Sequence, residues 1–132
     1  MTFFTYGSLE FAAVMRAVTG RSFAHERGRL DGWARFRVRA GAYPGIRPHA
    51  EMSVPGTLWR GVDAASAARL DRFETAIYER RTLRVRSASG ESLDAQVYVI
   101  PPRHYGELTH EPWDLARFAR VELAGFLRAL NR

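Results

Sequence analysis

Two stretches of this chain alternate with a period of two. Arg35, Arg37 and Arg39 are interleaved with Phe36 and Val38, and Arg84 and Arg86 with Leu83 and Val85. Successive side chains of a strand point to opposite faces, so each stretch reads as a strand with one apolar and one wet face. The same pattern decides how the net charge of +6 is read. Arginines spread along strands suit a solvated sheet face. No nucleic-acid motif accompanies them, so a nucleic-acid partner is not expected.

The rest of the chain organises around these strands. Residues 2–6 read as a short buried strand. Ser8 can cap a helix running to about residue 18, with Leu9, Ala12, Ala13 and Val14 at core-like spacing and Gly20 ending it. Residues 23–38 read as β, punctuated by Gly28 and Gly32, and residues 41–48 as a loop, because Pro44-Gly45 favours a turn and Pro48 forces extension before it. A strand over about 52–62 follows. Asp63 is placed to cap a helix from about 64 to 73 or 74, with Leu70 and Phe73 on its apolar face. A hairpin comes next, with strands near 80–86 and 93–100 around a turn at 87–91. Leu93, Ala95, Val97 and Val99 share one face of its second strand and Tyr98 points to the other. Pro101-Pro102 ends that strand, and the polar run to His110 reads as a mobile loop. Asp114 caps a last helix carrying Leu115, Phe118, Phe126 and Ala129, its face interrupted at Glu122 and Gly125. This order gives an α+β domain: a small mixed or antiparallel sheet curled toward a β-barrel, with peripheral helices. With 132 residues and no linker, a single domain over 1–132 is expected.

Composition removes whole classes of chemistry. The sequence has no cysteine, so disulfides, thiol nucleophiles and thiolate metal sites are out. All twenty basic residues are arginine, which excludes a Schiff-base or P-loop lysine. His25, His49, His104 and His110 form neither an i, i+4 pair nor an H-x-H, so no metal site is expected. No apolar run reaches the roughly 20 residues of a membrane helix, and the N-terminus lacks the features of a signal peptide. A cytoplasmic location is the default expectation.

Two segments remain that could carry chemistry. Tyr6-Gly7-Ser8-Leu9 breaks an apolar strand into a Gly-Ser turn whose backbone N–H groups suit a carboxylate or an oxyanion. It is equally an ordinary strand-to-helix connection. Ser8 as a nucleophile lacks both a Gly-x-Ser-x-Gly context and a histidine partner. Glu74, flanked by Phe73 and by Ala76-Ile77, is a candidate acid/base, since apolar surroundings raise a carboxyl pKa. The competing reading is a surface glutamate paired with Arg80 or Arg81, with Asp71 facing solvent. Tyr43, Tyr78 and Tyr98 are either packing residues or site hydroxyls.

Taken in order, Phe4-Thr5-Tyr6-Gly7-Ser8-Leu9, Tyr43-Pro44-Gly45-Ile46, Val54-Pro55-Gly56-Thr57-Leu58-Trp59, Leu70-Asp71-Arg72-Phe73-Glu74 with Tyr78 and Arg80, and Ala95-Gln96-Val97-Tyr98-Val99 resemble the gamma-glutamylcyclotransferase-like superfamily. Some relatives carry Asn after the Gly-Ser, where this chain has Leu9. The resemblance implies a small β-barrel enclosing a cavity. Tyr6, Gly7, Ser8, Leu9, Tyr43, Tyr78 and Tyr98 would contact substrate there, and Glu74 would be the catalytic acid/base. It implies conversion of a γ-glutamyl amine or amino acid to 5-oxoproline and free amine, without metal or organic cofactor. The alternative is a relative that binds a small metabolite in the same cavity without this chemistry.

Overall fold

The structure, a computed structural model, describes residues 1–39, 41, 43–74 and 77–131. The described residues form six strands: β1 (Phe3–Thr5), β2 (Ala24–Val38), β3 (Pro44–Arg60), β4 (Glu79–Ser87), β5 (Ser92–Val99) and β6 (Leu108–Pro112). Their order is β3-β1-β5-β4-β2-β6, and β2 also pairs with β3, which closes a five-stranded barrel and leaves β6 as an addition beside β2. The β1–β5 pair is parallel and the others are antiparallel.

Alternation along the strands sorts their apolar residues into two cores. Phe4, Leu58, Val97 and Val99 point inward and join Leu30, Ile46, Val54, Val85 and Ala95 inside the barrel. Phe3, Trp59 and Tyr98, one residue out of phase, point outward. They pack under α1 (Ala12–Thr19) and α2 (Ala64–Phe73), against Val14, Met15, Ala67 and Leu70. The chain ends in α3 (Leu115–Arg117), a π turn (Phe118–Glu122) and α4 (Leu123–Leu130).

Closure brings β1 and β3 so near that position 56 tolerates only glycine. A Cβ there would lie 2.4 Å from the Thr5 carbonyl oxygen and 2.5 Å from Phe4 Cζ. Gly56→Ala should therefore cost about 2 kcal/mol, seen as a lowered urea midpoint with an unchanged slope.

Several expectations change. Residues 41–48 are not a loop throughout: Ala42 lies outside the described residues, and β3 already begins at Pro44. Gly45 pairs with Phe36 and Pro48 with Trp33. Gly45 is there for close packing, since a Cβ would stand 2.5 Å from Ile100 Cγ1. The 101–110 run is a 3-10 segment (Pro102–Glu107) leading into β6, which pairs with β2 through Val38↔Leu108. Ser8 does not cap α1. It starts a separate 3-10 turn (Ser8–Glu10) with no side-chain cap, and Ala12 and Ala13 are exposed while Val14 and Met15 are buried. Asp63 and Asp114 do cap their helices, accepting from the N–H of Ser66 (3.2 Å) and Ala116 (3.0 Å). The wet-face reading holds for Arg37, Arg84 and Arg86, which are exposed, and Arg84 and Arg86 face acids (Asp94 at 3.1 Å, Asp31 at 4.0 Å). Arg35 departs from it, with a side chain only 15% exposed.

Candidate active site at the end of the barrel

A cavity of about 270 Å³ opens where β1 runs into the 3-10 turn. Every sequence-predicted site residue lines it: Tyr6, Gly7, Ser8, Leu9, Tyr43, Glu74, Tyr78 and Tyr98. The end of β1, Tyr98 on the outward face of β5, the end of α2 and one side of α4 meet there.

The 6–9 segment is fastened by its carbonyls. Arg35 Nη1 donates to the Tyr6 carbonyl (2.8 Å), the Glu10 N–H to Gly7 (3.0 Å), the Phe11 N–H to Ser8 (3.2 Å) and Thr5 Oγ1 to Leu9 (3.1 Å). Thr5 Oγ1 is itself held by Trp59 Nε1 at 2.8 Å. Among the described residues, none accepts from the N–H of Gly7, Ser8 or Leu9. Buried backbone donors are nearly always paired, so three successive amides beside a cavity make a ready anion-binding segment. At Gly7 a Cβ would press on Pro44 Cγ and Cδ at 2.9 Å, across the cavity wall.

Glu74 ends α2. Its N–H still donates to the Leu70 carbonyl (3.1 Å), but its backbone is extended, so its side chain leaves the helix surface for the cavity. Burial, and then the neighbouring negative charge of Asp71, push its carboxyl up to about 8. Ala76, one of its expected apolar neighbours, lies outside the described residues. The surface-pair alternative fails because the two arginines are engaged elsewhere: Arg80 Nε with Asp71 (3.1 Å) and Arg81 Nη2 with Glu79 (2.9 Å). Among the described residues Glu74 has no ion pair.

Three of the four lining tyrosines donate their hydroxyl protons within the protein. Tyr6 donates to the Tyr98 carbonyl, Tyr78 to the Pro44 carbonyl, and Tyr98 to Asp71 Oδ1 at 2.7 Å. Burial holds all three hydroxyls well above the usual phenol range, so they stay protonated. Their protons are committed to the protein, which leaves them able to accept from a ligand but not to donate. Tyr43 packs near Tyr78, with ring centres 6.4 Å apart. Asp71, though exposed, is the acceptor that orients Tyr98.

Sequence reasoning missed Glu10 and Arg35. Glu10 follows the 6–9 segment directly and its side chain is 2% exposed. Arg27 Nη1 donates to Oε1 at 2.8 Å, whereas Oε2 has no hydrogen bond among the described residues and lies 3.7 Å from Arg35 Nη1. The Arg35 guanidinium also covers the Trp113 ring, 5.2 Å from its centre. Glu10 inside a presumed helix and Arg35 inside a charged alternation carry no local mark of burial.

The fold is shared with a solved gamma-glutamyl cyclotransferase, at 10% identity and a TM-score of 0.61 over 99% of this chain and 86% of that one. It is also shared with an AIG2-like protein from Mus musculus, at 26% identity and a TM-score of 0.62 over 86% of this chain and 87% of that one. AIG2-like protein C of Arabidopsis thaliana is 33% identical over 115 residues, spanning 83% of this chain and 67% of that protein. The family description "Gamma-glutamyl cyclotransferase, AIG2-like" matches residues 3–115, and the chain belongs to that family.

Proposed function

We propose that this chain is a cofactor-independent cyclotransferase, acting as one domain, that converts a γ-glutamyl amine or amino acid to 5-oxoproline and free amine. The observation that carries this reading is the pairing, in one cavity, of three backbone N–H groups that find no acceptor among the described residues with a carboxyl raised to about 8. The family membership agrees with it.

The amides of Gly7, Ser8 and Leu9 hold the substrate α-carboxylate or polarise the γ-carbonyl. Glu74 takes a proton from the α-ammonium. The freed amine attacks the γ-carbonyl carbon, forming the ring C–N bond. Glu74 returns the proton to the amide nitrogen as the old C–N bond breaks, and the ring nitrogen gives up its second proton to the departing amine, so that the products are the neutral lactam and an ammonium. Nucleophile and electrophile belong to one molecule, so the enzyme's main task is to fold the substrate into the attacking conformer. A base near 8 is matched to a substrate ammonium, whereas an ordinary carboxylate is too weak to take its proton readily.

Purified protein incubated with γ-glutamyl amines, γ-glutamyl amino acids and glutathione should release 5-oxoproline from at least one of them. Silence across the set, with a γ-glutamyl compound still bound, would favour the metabolite-binding alternative. Gly7→Ala should lower kcat/KM by about tenfold or more, because displacing Pro44, 2.9 Å from the added Cβ, misplaces the reacting groups.

A further inference from the structure

Asp71 reads from the sequence as a solvent-facing residue of α2, and its side chain is 42% exposed. An exposed ion pair contributes little to stability. Two donors nevertheless converge on one oxygen of this carboxylate. Tyr98 Oη donates to Oδ1 at 2.7 Å, and Arg80 Nε lies 3.1 Å from the same atom.

Both donors are placed by the barrel. Tyr98 of β5 and Arg80 of β4 are cross-strand partners, so their side chains leave the sheet on one face. The Tyr98 ring centre lies 6.1 Å from that of Phe3, and the Arg80 guanidinium covers the same Phe3 ring at 5.5 Å. Arg80 Nη1 also donates to Gln96 Oε1 at 3.3 Å. The end of α2 thus meets a fixed pair of donors through Asp71.

The consequence is felt in the cavity, which Tyr98 lines. A phenol hydroxyl donates one hydrogen bond and can accept others, and its proton turns to suit its partner. With that proton directed at Asp71, the Tyr98 oxygen offers the cavity only lone pairs. Donation to a carboxylate also makes the oxygen a stronger acceptor. The substrate group it suits is a positively charged N–H donor. On the cyclotransferase reading, that group is the α-ammonium from which Glu74 takes a proton.

Asp71 acts on Glu74 as well. It lies one helical turn earlier, and its negative charge adds to burial in raising the Glu74 carboxyl. The other titratable groups that interact with Glu74 are Tyr6 at the end of β1, Tyr78 before β4 and Tyr98 on β5, whose hydroxyls stay protonated. From α4, Phe126, Ala129 and Leu130 line the cavity.

We infer that Asp71, held by Arg80, is a positioning residue: it turns the Tyr98 hydroxyl into an acceptor for the substrate ammonium and supplies the negative charge that Glu74 faces.

Substitutions separate the two roles. Asp71→Asn keeps an oxygen for the Tyr98 proton and removes the charge. The rise of kcat/KM with pH that follows ionisation of Glu74 should then move to lower pH, because no like charge opposes that ionisation. Tyr98→Phe removes the acceptor, and Asp71→Ala frees its proton to turn. Calorimetry in a Glu74→Gln background compares γ-glutamylmethylamide with its deamino analogue, glutaric acid monomethylamide. The ammonium compound should bind at least about tenfold more tightly, the size of a hydrogen bond to a charged group. Adding Tyr98→Phe or Asp71→Ala, each with its fold checked by circular dichroism, should erase that preference and leave the Kd of the deamino analogue unchanged. Equal affinity for the two compounds, no binding of either, or a preference that survives both substitutions overturns the acceptor role. A pH limb that stays in place in Asp71→Asn overturns the charge role. If no γ-glutamyl compound yields 5-oxoproline, a preference lost in both variants still supports the acceptor role and overturns only the cyclotransferase reading.

Discussion

Glu74→Gln is expected to lower kcat by about 10²–10⁴-fold, the usual contribution of a positioned acid/base, and at the same time to make the protein more stable above neutral pH. The two effects share one cause. In the unfolded chain Glu74 ionises near 4.5, and in the fold burial and Asp71 raise it to about 8. Below 4.5 the carboxyl is protonated in both states and costs nothing. Between 4.5 and 8 the folded state must keep a proton that the unfolded state releases. Stability therefore falls as pH rises through this window and levels off above 8, by an amount of order 3–5 kcal/mol. Gln has nearly the same shape and no charge to desolvate, so the variant escapes the penalty. Its thermal midpoint should equal that of wild type at pH 4 and exceed it at pH 8.5. Wild-type kcat/KM should climb through about pH 8 as the free enzyme's carboxyl ionises, and the variant should lack that limb. Unchanged turnover would remove Glu74 from the chemistry. A variant less stable than wild type at pH 8.5 would mean that the carboxylate finds compensation inside the fold.

The residues that carry this argument were legible in the sequence to unequal degrees. Local signals were dependable. The Gly7-Ser8 break after an apolar strand, the caps at Asp63 and Asp114, and the alternation around Tyr98 all reappear in the fold. Glu74 stood out because a carboxylate beside Phe73 at a helix end is a local oddity. The misreadings occur where tertiary pairing overrides a local rule. Pro44 and Gly45 normally mark a turn, yet here they begin β3, and Gly45 is kept small by Ile100, 55 positions further along. The 101–110 run is polar enough for a loop, and only β2 turns its end into β6. Arg35, Arg37 and Arg39 are indistinguishable as a pattern. Arg35 alone is covered, because Trp113 and the 6–9 segment arrive over it from distant parts of the chain.

Arg35 is accordingly the second position where a large effect is expected. Its guanidinium donates to the Tyr6 carbonyl and lies 3.7 Å from Glu10 Oε2, an oxygen with no hydrogen bond among the described residues. Burial raises the Glu10 pKa and lowers that of Arg35, and each charge offsets part of the other's shift. Arg35→Met keeps the stem and the contact with Trp113 but leaves Glu10 with Arg27 as its one remaining ion-pair partner among the described residues. Removing a sole partner from a buried pair costs about 3–5 kcal/mol, so the loss here is smaller, whereas replacing both partners by apolar residues is often neutral. Glu10→Leu combined with Arg35→Met should therefore recover much of the lost urea midpoint. It should not recover turnover. The Tyr6 carbonyl still lacks the donor that holds it at 2.8 Å, and the amides of Gly7 to Leu9 lose their fixed aim. A restored midpoint with kcat/KM still down by about tenfold or more would identify Arg35 as a positioning residue for the anion-binding segment, since misplacement by an ångström is enough for such a loss. Full recovery of both would reduce Arg35 to a partner of Glu10 and no more.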